Sequence, residues 1–172
     1  MNILVLVLWT LFASLVNAGS KTQTLLDQLG RVQSMDQASP IVQELWKEWT
    51  AAHKNEEEKA LMAEGIAEMS RGNLDRAENV FTKLIEVNPD FTEAWNKRAT
   101  LRFMAWDFEG SLKDVEKVLA LEPRHFGALS GLGMIYLRLG DPESALKAYE
   151  DLARIFPSNA DAIQKIISLK DY

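Results

Sequence analysis

The sequence predicts an all-α fold, a right-handed superhelical α-solenoid of three helix pairs with a helical pair before them and a capping helix after them. Three prolines, Pro89, Pro123 and Pro157, lie 34 residues apart. Good N-cap residues and matched small and large side chains recur with the same period. A period of this length indicates stacked helical repeats, because one helix pair cannot bury its apolar face alone.

The composition is that of a soluble globular chain with a packed core. Of the 172 residues, 47% are apolar and 26% are charged, and the formal net charge is −6. This acidic balance disfavours binding to nucleic acid or to an anionic membrane through a broad basic face. Cysteine is absent, which excludes disulfides, thiolate catalysis and Cys-ligated metal sites.

The first segment, residues 1–18, predicts a signal peptide. Its apolar run, residues 3–16, is shorter than the about 20 residues of a bilayer span, and small residues follow it. We expect cleavage near Ala18 and a periplasmic or secreted protein. Two alternatives stay open because the segment has no Lys or Arg: a retained membrane anchor through residues 3–16, or a buried hydrophobic helix.

Residues 19–57 predict an N-terminal helical extension. The stretches TQTLLDQLGRVQ and SPIVQELWKEWTAAH have helical apolar spacing and predict two amphipathic helices around Pro40. We expect this pair to cover the first repeat, because the end of a solenoid needs a cap. The apolar residues of that cover are Leu25, Leu26, Leu29, Ile41, Leu45, Trp46 and Trp49.

The three repeats are predicted over residues 58–157. Their boundaries are 58–91, 92–125 and 126–157. In each repeat the second helix should begin after a residue that caps helix N-termini well. These N-cap residues are Asn73, Asp107 and Asp141. Small side chains recur where the paired helices approach, at Gly65, Ala99, Gly133, Ala77, Ser111 and Ala145. Large ones fill the remaining space, at Leu61, Trp95, Leu129, Phe81, Val115 and Tyr149.

After the repeats, residues 158–172 predict a C-terminal capping helix. Its apolar positions recur at helical spacing. They are Ala162, Ile163, Ile166, Ile167 and Leu169.

The 34-residue unit resembles the tetratricopeptide repeat, whose pattern is a large residue, Leu-Gly, Tyr, Ala, Phe and Pro. The unit from Phe126 to Pro157 matches it best. The matching residues are Leu129, Leu132, Gly133, Tyr136, Gly140, Ala145, Tyr149 and Pro157. The stretches AWNKRA and LEPRHFGALSGLG also look like small bacterial exported members of this family, for which the resemblance implies a fold but no assigned activity.

The resemblance implies a binding groove on the concave face, lined by the first helix of each repeat. The family's recurring offsets place in it Lys59, Met62, Ile66, Met69, Asn96, Lys97, Thr100, Phe103, Met104, Ser130, Met134, Leu137 and Arg138. This methionine-rich floor suits an apolar helix or an extended peptide of a partner protein. The polar residues Asn96, Lys97 and Arg138 are expected to hold its backbone or an acidic group. The alternative for each methionine is ordinary core packing.

Some members of the family grip the C-terminal carboxylate of a cytosolic chaperone with a Lys and Asn clamp. In this sequence Met62 and Ile66 stand where the first repeat would need those polar residues. The resemblance therefore argues against that particular activity here.

Two departures from the repeat pattern carry predictions of their own. Trp106 stands where Gly72 and Gly140 end the first helices of the other repeats, and a bulky residue at positive φ costs about 1 kcal/mol. Either the turn is remodelled, with the ring packed on Phe108 or a neighbouring repeat, or the exposed ring has a role.

The second departure is a set of charges in the first helices. Glu64 and Glu68 of the first repeat could face Arg98 and Arg102 of the second, which predicts an inter-repeat ladder of ion pairs. The alternative is that the four side chains are solvated separately.

No pattern of catalytic residues is present. His53 and His125 are far apart and neither has a second metal ligand at helical spacing. His125 is expected to be a loop or rim residue, and NEEEK at 55–59 a solvated helix start. Glycine-rich phosphate loops and nucleophile elbows are absent from the sequence. We therefore expect no enzymatic activity, no metal and no cofactor.

Two functional hypotheses remain. The first is an exported protein-interaction module or scaffold that binds a partner peptide or helix in its concave groove. The second is a membrane-anchored structural subunit of a larger envelope complex, which uses its convex or terminal surfaces and contacts the membrane only if the N-terminal segment is retained.

Overall fold

The structure is a computed structural model that describes residues 21–171. Within that range all regular secondary structure is α-helical, which confirms the predicted fold class. The helices are α1 (residues 21–29), α2 (Met35–Thr50), α3 (Glu56–Ser70), α4 (Leu74–Val87), α5 (Thr92–Met104), α6 (Phe108–Leu121), α7 (Phe126–Leu139), α8 (Pro142–Ile155) and α9 (Ala160–Lys170). The predicted signal peptide, residues 1–18, lies outside the described residues.

The repeats are the helix pairs α3–α4, α5–α6 and α7–α8, and each helix from α3 to α9 packs on the next one along the chain. The N-cap predictions place the starts of α4, α6 and α8 correctly. Asp107 and Asp141 accept hydrogen bonds from the backbone N–H groups of Gly110 and Ser144. Asn73 makes no such bond, and its amide instead donates to Glu68 Oε2 at 2.8 Å.

Two glycines allow the helices of a pair to approach closely. A Cβ atom at Gly65 would lie 2.5 Å from Phe81 Cζ, and one at Gly133 would lie 2.6 Å from Tyr149 Cζ. Both rings are fully buried. The predicted pairing of small and large residues is therefore the contact that sets the spacing between α3 and α4 and between α7 and α8.

The N-terminal pair does not cover the first repeat, so that expectation is wrong. The buried residues of α1 and α2 share one core with α7, α8 and α9. That core contains Leu26, Leu29, Ala38, Leu45, Trp49, Phe126, Leu129, Ala145, Tyr149, Leu152, Phe156 and Ala162. The non-helical residues 51–55 separate α2 from α3. The aromatic side chains of α2, Trp46 and Trp49, pack against the ring of Phe126 at the start of α7.

Pro40 lies inside α2 rather than between two helices, which corrects a second expectation. The helix begins after Ser34, whose hydroxyl accepts a hydrogen bond from Gln37 N–H. Pro40 is the sixth residue of the helix and is exposed to solvent. The proline therefore removes one backbone donor on the solvent side without ending the helix.

The C-terminal cap is the predicted helix, α9, which begins after Asn159. Ala162 is fully buried in the core, with Ile166 and Leu169 packed beside it. Ile163 and Ile167 instead remain 43% and 51% exposed.

The turn at Trp106 is not remodelled. Trp106 has φ 64°, close to the values of 77° at Gly72 and 78° at Gly140, so it adopts the left-handed conformation that favours glycine. The ring is 72% exposed and packs on Phe108 with centroids 5.7 Å apart, so the predicted ring contact is present although the turn predicted with it is not. The backbone of the second repeat thus keeps the geometry of the others under local strain.

None of the helices described between residues 21 and 171 combines the length and the apolar character that a bilayer span requires.

Candidate functional site

Three of the four predicted groove residues of the first repeat, Lys59, Met62 and Ile66, line an open cleft of about 470 Å³ between α2 and α3. Its lining is mostly apolar, and Lys47 and Lys59 stand at its sides. The lining residues are Trp46, Lys47, Thr50, Ala51, His53, Lys59, Met62, Ala63 and Ile66. Clefts of roughly 300–1,000 Å³ with apolar linings are the usual size for ligand sites. We call it the α2–α3 cleft.

Four of the nine predicted residues of the second and third repeats line a smaller cavity of about 90 Å³. Asn96, Thr100, Phe103 and Met134 are among its walls, and Gly127 and Gly131 open its α7 side. Its volume is too small for a large side chain without movement of the walls.

A third depression of about 160 Å³ lies beside the strained turn. It brings together Phe103, Met104, Trp106, Phe108 and Arg138. The guanidinium of Arg138 lies 5.6 Å from the Trp106 ring centroid, a cation–π contact worth about 0.5–1 kcal/mol at an exposed site.

The other predicted groove residues lie outside these three cavities. Met69 packs on the core of the first repeat, and Met62 is one of the buried residues of that core, so the core alternative holds for both methionines. Leu137 packs against the core that contains α1 and α2. Ser130 is half-buried on α7.

Asn96 and Lys97 do not point free polar groups into the groove, contrary to expectation. Both interact with Glu93, a fully buried carboxylate: Asn96 Nδ2 donates a hydrogen bond to Oε2 at 3.1 Å, and Lys97 Nζ forms an ion pair with Oε1 at 2.8 Å without the geometry of a hydrogen bond. Burial acts to raise the pKa of Glu93, but the hydrogen bond from His125 and the charge of Lys97 outweigh it and hold the pKa below the ordinary value. The ammonium group of Lys97 is therefore paired within the fold.

His125 is fully buried and not a rim residue, which corrects that expectation. It is the N-cap of α7, where Nδ1 accepts a hydrogen bond from Ala128 N–H at 3.0 Å. Nε2 therefore carries the proton and donates to Glu93 Oε2 at 3.2 Å. The imidazole also stacks on Trp49, with ring centroids 4.0 Å apart. His125 thus links α2, α5 and α7.

The predicted ladder between the first helices is wrong in its partners. Arg98 binds Asp114 of α6 through two bonds of 2.9 and 2.8 Å, and Arg102 donates to the same carboxylate at 3.0 Å and to Glu78 of α4 at 2.8 Å. Glu68 pairs with Arg71 at 2.7 Å. Both arginines therefore bind carboxylates of second helices, the nearly buried Asp114 of α6 and, for Arg102, also Glu78 of α4, which is one-third exposed.

The acidic start of α3 is only partly solvated. Glu56 and Glu57 are exposed as expected, but Glu58 is buried and accepts a hydrogen bond of 2.9 Å from Asn88 Nδ2. Its second oxygen accepts from Asn55 Nδ2 at 3.1 Å. Glu58 therefore joins α3 to the end of α4 and has a structural role.

Within residues 21–171, no group of three or more His, Cys, Asp or Glu side chains is placed to hold a metal ion.

Sequence reasoning missed the α2 wall of the cleft and also Ala63. The spacing offered a signal for Ala63, which lies four residues after Lys59 and three before Ile66 on one helical face. The sequence offered no signal that Trp46, Lys47, Thr50 and Ala51 line the cleft, because their position depends on where the α1–α2 pair packs on the repeats.

The tetratricopeptide repeat profile matches residues 62–105 and 105–160. A TPR repeat-containing protein of Rhizobium etli is 34% identical over 159 residues, which cover 90% of this chain and 78% of that protein. The small glutamine-rich tetratricopeptide repeat-containing protein 2 of Saccharomyces cerevisiae is 29% identical over 61% of this chain. The Hsp70-Hsp90 organizing protein of Triticum aestivum is 32% identical over 56%. The chain spans 30% and 17% of those two relatives.

Solved structures share the fold. The first TPR domain of Spaghetti (RPAP3), bound to the HSP90 peptide SRMEEVD, has a TM-score of 0.66 and 22% identity, over 70% of this chain and 96% of that one. The crystal structure of MamA protein has a TM-score of 0.63 and 20% identity, over 89% of this chain and 82% of that one.

Proposed function

The chain belongs to the tetratricopeptide repeat family, and on that premise we propose that it is a non-enzymatic protein-interaction module that binds a peptide or helix of a partner protein on its concave side. The observation that carries the proposal is the α2–α3 cleft, an open apolar site of about 470 Å³ between α2 and the first helix of the first repeat. Apolar clefts with a few polar groups at the margin suit the anchor side chains of a bound peptide.

The partner segment is apolar with acidic flanks. Ile66 and Met62 form the apolar floor, of which Met62 is only 3% exposed and belongs to the core of the first repeat, and Trp46 provides one wall. Lys47 and Lys59, whose side chains are 73% and 55% exposed, contact only exposed or half-exposed glutamates of their own helices. Such pairs contribute little, so both ammonium groups are available to carboxylates of a ligand.

Binding of a chaperone C-terminus, as in the Spaghetti complex, is not the activity that we propose. Gripping a terminal carboxylate needs free cationic and amide groups in the groove. In this chain Met62 and Ile66 are apolar, while Lys97 is paired with Glu93.

The test uses two substitutions of exposed alanines on α3. Ala63→Arg places a long charged side chain in the cleft, whereas Ala60→Arg makes the same change outside the cleft lining. Affinity capture from the native host should recover a partner with the wild-type chain and with Ala60→Arg, and lose it with Ala63→Arg. Equal recovery with both variants would overturn the proposal.

We further propose that the module acts after export, with residues 1–18 removed. The apolar run 3–16 and the small residues up to Ala18 support this. Mass measurement of the N-terminus from the native host tests it: a chain that begins at Gly19 supports export, and an intact Met1 favours a membrane-anchored subunit of an envelope complex instead.

A further inference from the structure

The turn between α5 and α6 exposes a cluster of apolar side chains. Trp106 is 72% exposed, and Met104, the last residue of α5, is 52% exposed. Phe108 begins α6 and packs on the indole with ring centroids 5.7 Å apart. Arg138 of α7 lies over the same indole, and Leu139, which follows it and ends α7, is 44% exposed. We call the surface formed by these residues the Trp106 edge.

The Trp106 edge is separate from the α2–α3 cleft. The residues that line the two sites are different, and the edge is centred on the turn between two helices of a repeat rather than on the side of a first helix. Its depression has a volume of about 160 Å³. A cavity of about 150 Å³ accepts a benzene-sized group. The depression can therefore take one apolar side chain of a partner.

The exposed indole is costly to the fold at this position. Gly72 and Gly140 form the equivalent turns at φ 77° and 78°, whereas Trp106 adopts φ 64° with a bulky side chain in the same left-handed region. Its contacts with Phe108 and Arg138 leave the ring 72% exposed, so folding gains little from burying it. A glycine would form this turn without strain. Exposed apolar clusters of this kind mark surfaces that bind a partner.

The margin of the Trp106 edge is acidic. Glu109 lies in the first turn of α6 and Glu143 in the first turn of α8, and both are exposed. The helix dipoles favour acids at these positions. Neither carboxylate forms an ion pair within the part of the chain that the structure describes, so both are free to bind a cation of a ligand. The edge therefore combines an apolar centre, two free carboxylates and an indole that already accepts the guanidinium of Arg138, 5.6 Å from its centroid.

A basic segment of a partner protein matches this combination better than other occupants do. A second copy of the chain would bring Glu109 and Glu143 of both copies together, which is repulsive. An anionic lipid surface is disfavoured by the same carboxylates. A Lys or Arg side chain can cover Met104 and Leu139 with its methylene stem and place its charge over the indole. Arg138 shows this chemistry within the chain.

We propose that the Trp106 edge is a second protein-binding site, which binds a short segment rich in Lys or Arg and in apolar residues. One basic side chain lies over the Trp106 ring, neighbouring basic groups pair with Glu109 and Glu143, and an apolar side chain enters the depression. The site goes beyond the proposed function, because its ligand is basic, whereas the lysines of the α2–α3 cleft favour a ligand with acidic flanks.

The probe is a fluorescein-labelled peptide of alternating Lys and Leu, titrated into the full chain and followed by fluorescence anisotropy. Trp106→Gly removes the ring and introduces the residue that forms the equivalent turns, so the fold should persist. That variant should bind the Lys-Leu peptide at least about tenfold more weakly than the wild type does. A peptide with Glu in place of every Lys is the charge control, and its binding should be the same for the wild type and Trp106→Gly.

Matched charge reversals test the margin of the edge. Glu109→Lys should weaken binding of the Lys-Leu peptide at least about fivefold. Glu116→Lys makes the same change at an exposed position of α6 away from the turn, and it should leave binding within about twofold. Ala63→Arg, which places a charge in the α2–α3 cleft, should leave binding of this peptide unchanged, so the two proposals succeed or fail separately.

Equal binding of the Lys-Leu peptide by the wild type and Trp106→Gly, with native circular dichroism for both, would overturn the proposal. Loss of binding in Ala63→Arg would also overturn it, because the peptide would then occupy the cleft. A dimer in light scattering that is lost with Trp106→Gly would overturn it in favour of a second copy as the occupant. Flotation of the wild type, but not of Trp106→Gly, with phosphatidylcholine vesicles would overturn it in favour of a membrane surface.

Discussion

His125 Nε2 lies 3.2 Å from Glu93 Oε2, and both side chains are fully buried. This bond joins the start of α7 to α5, and the imidazole is stacked at the same time on Trp49 of α2. A single polar pair therefore connects two repeats and the docked N-terminal helices. Buried pairs of this kind specify an arrangement and are costly to break on one side.

The first prediction concerns acid stability. The pKa of Glu93 is lowered in the folded chain relative to its ordinary value of about 4.3, so the folded state favours the carboxylate. The stabilisation is therefore present above about pH 4.3 and is lost as the pH falls through the lowered folded value. Urea unfolding at a series of pH values from about 7 to about 3 measures this loss.

Glu93→Gln is the control for that series. It should cost about 1.5–3 kcal/mol at neutral pH, because the hydrogen bonds from His125 and Asn96 are then made to a neutral acceptor and Lys97 loses its ion-pair partner, and it should reduce the pH dependence. Identical pH profiles for the wild type and Glu93→Gln would contradict the assignment.

The second prediction concerns the glycine under Tyr149. Gly133→Ala places a Cβ 2.6 Å from Tyr149 Cζ and should destabilise the fold by about 1–3 kcal/mol, because the buried ring has no room to move. Gly131→Ala, two residues earlier, should instead stabilise by about 0.5–1 kcal/mol through helix propensity. Chemical unfolding of both variants measures the contrast, and equal effects would show that close approach does not set the helix spacing.

The third prediction uses the strain at Trp106. Replacement by glycine removes the cost of φ 64°, whereas replacement by alanine keeps it, and both remove the ring. Trp106→Gly should therefore be more stable than Trp106→Ala by about 1 kcal/mol, after the greater unfolded-state entropy of glycine offsets part of the gain. Thermal and urea unfolding compare the pair; greater stability of the alanine variant would mean that this turn relaxes.

The fourth prediction tests the corrected ion pairs. Asp114→Ala leaves Arg98 and Arg102 without their shared carboxylate and should cost about 3–5 kcal/mol, since Arg98 is nearly buried. Glu64→Ala removes only a contact of 3.8 Å to an exposed arginine and should change stability by less than about 0.5 kcal/mol. A larger loss of stability for Glu64→Ala than for Asp114→Ala would instead support the ladder of ion pairs between the first helices.

Local rules predicted the repeats because each signal acts over a few residues. The caps at Asp107 and Asp141, and the close approach at Gly65 and Gly133, follow from helix chemistry and a fixed period. Those contacts join residues within one repeat or in adjacent repeats, which are close in the sequence, so the periodic pattern is enough to predict them.

The docking of α1 and α2 could not be predicted in the same way. Amphipathic spacing shows that Leu45 and Trp49 are buried, but not against which surface. Their partners, His125 and Phe126, lie more than 70 residues away in the sequence. The α2 wall of the cleft, and the burial of His125, follow from that long-range contact and were missed for the same reason.

The most direct measurement is photo-crosslinking in the native host from a photoreactive amino acid placed at position 63, with position 60 as the matched control. If the α2–α3 cleft binds a partner helix, position 63 should form a covalent adduct with one protein through an apolar segment, and position 60 should form none. Adducts of equal yield from both positions, or an adduct from position 60 alone, would contradict the account.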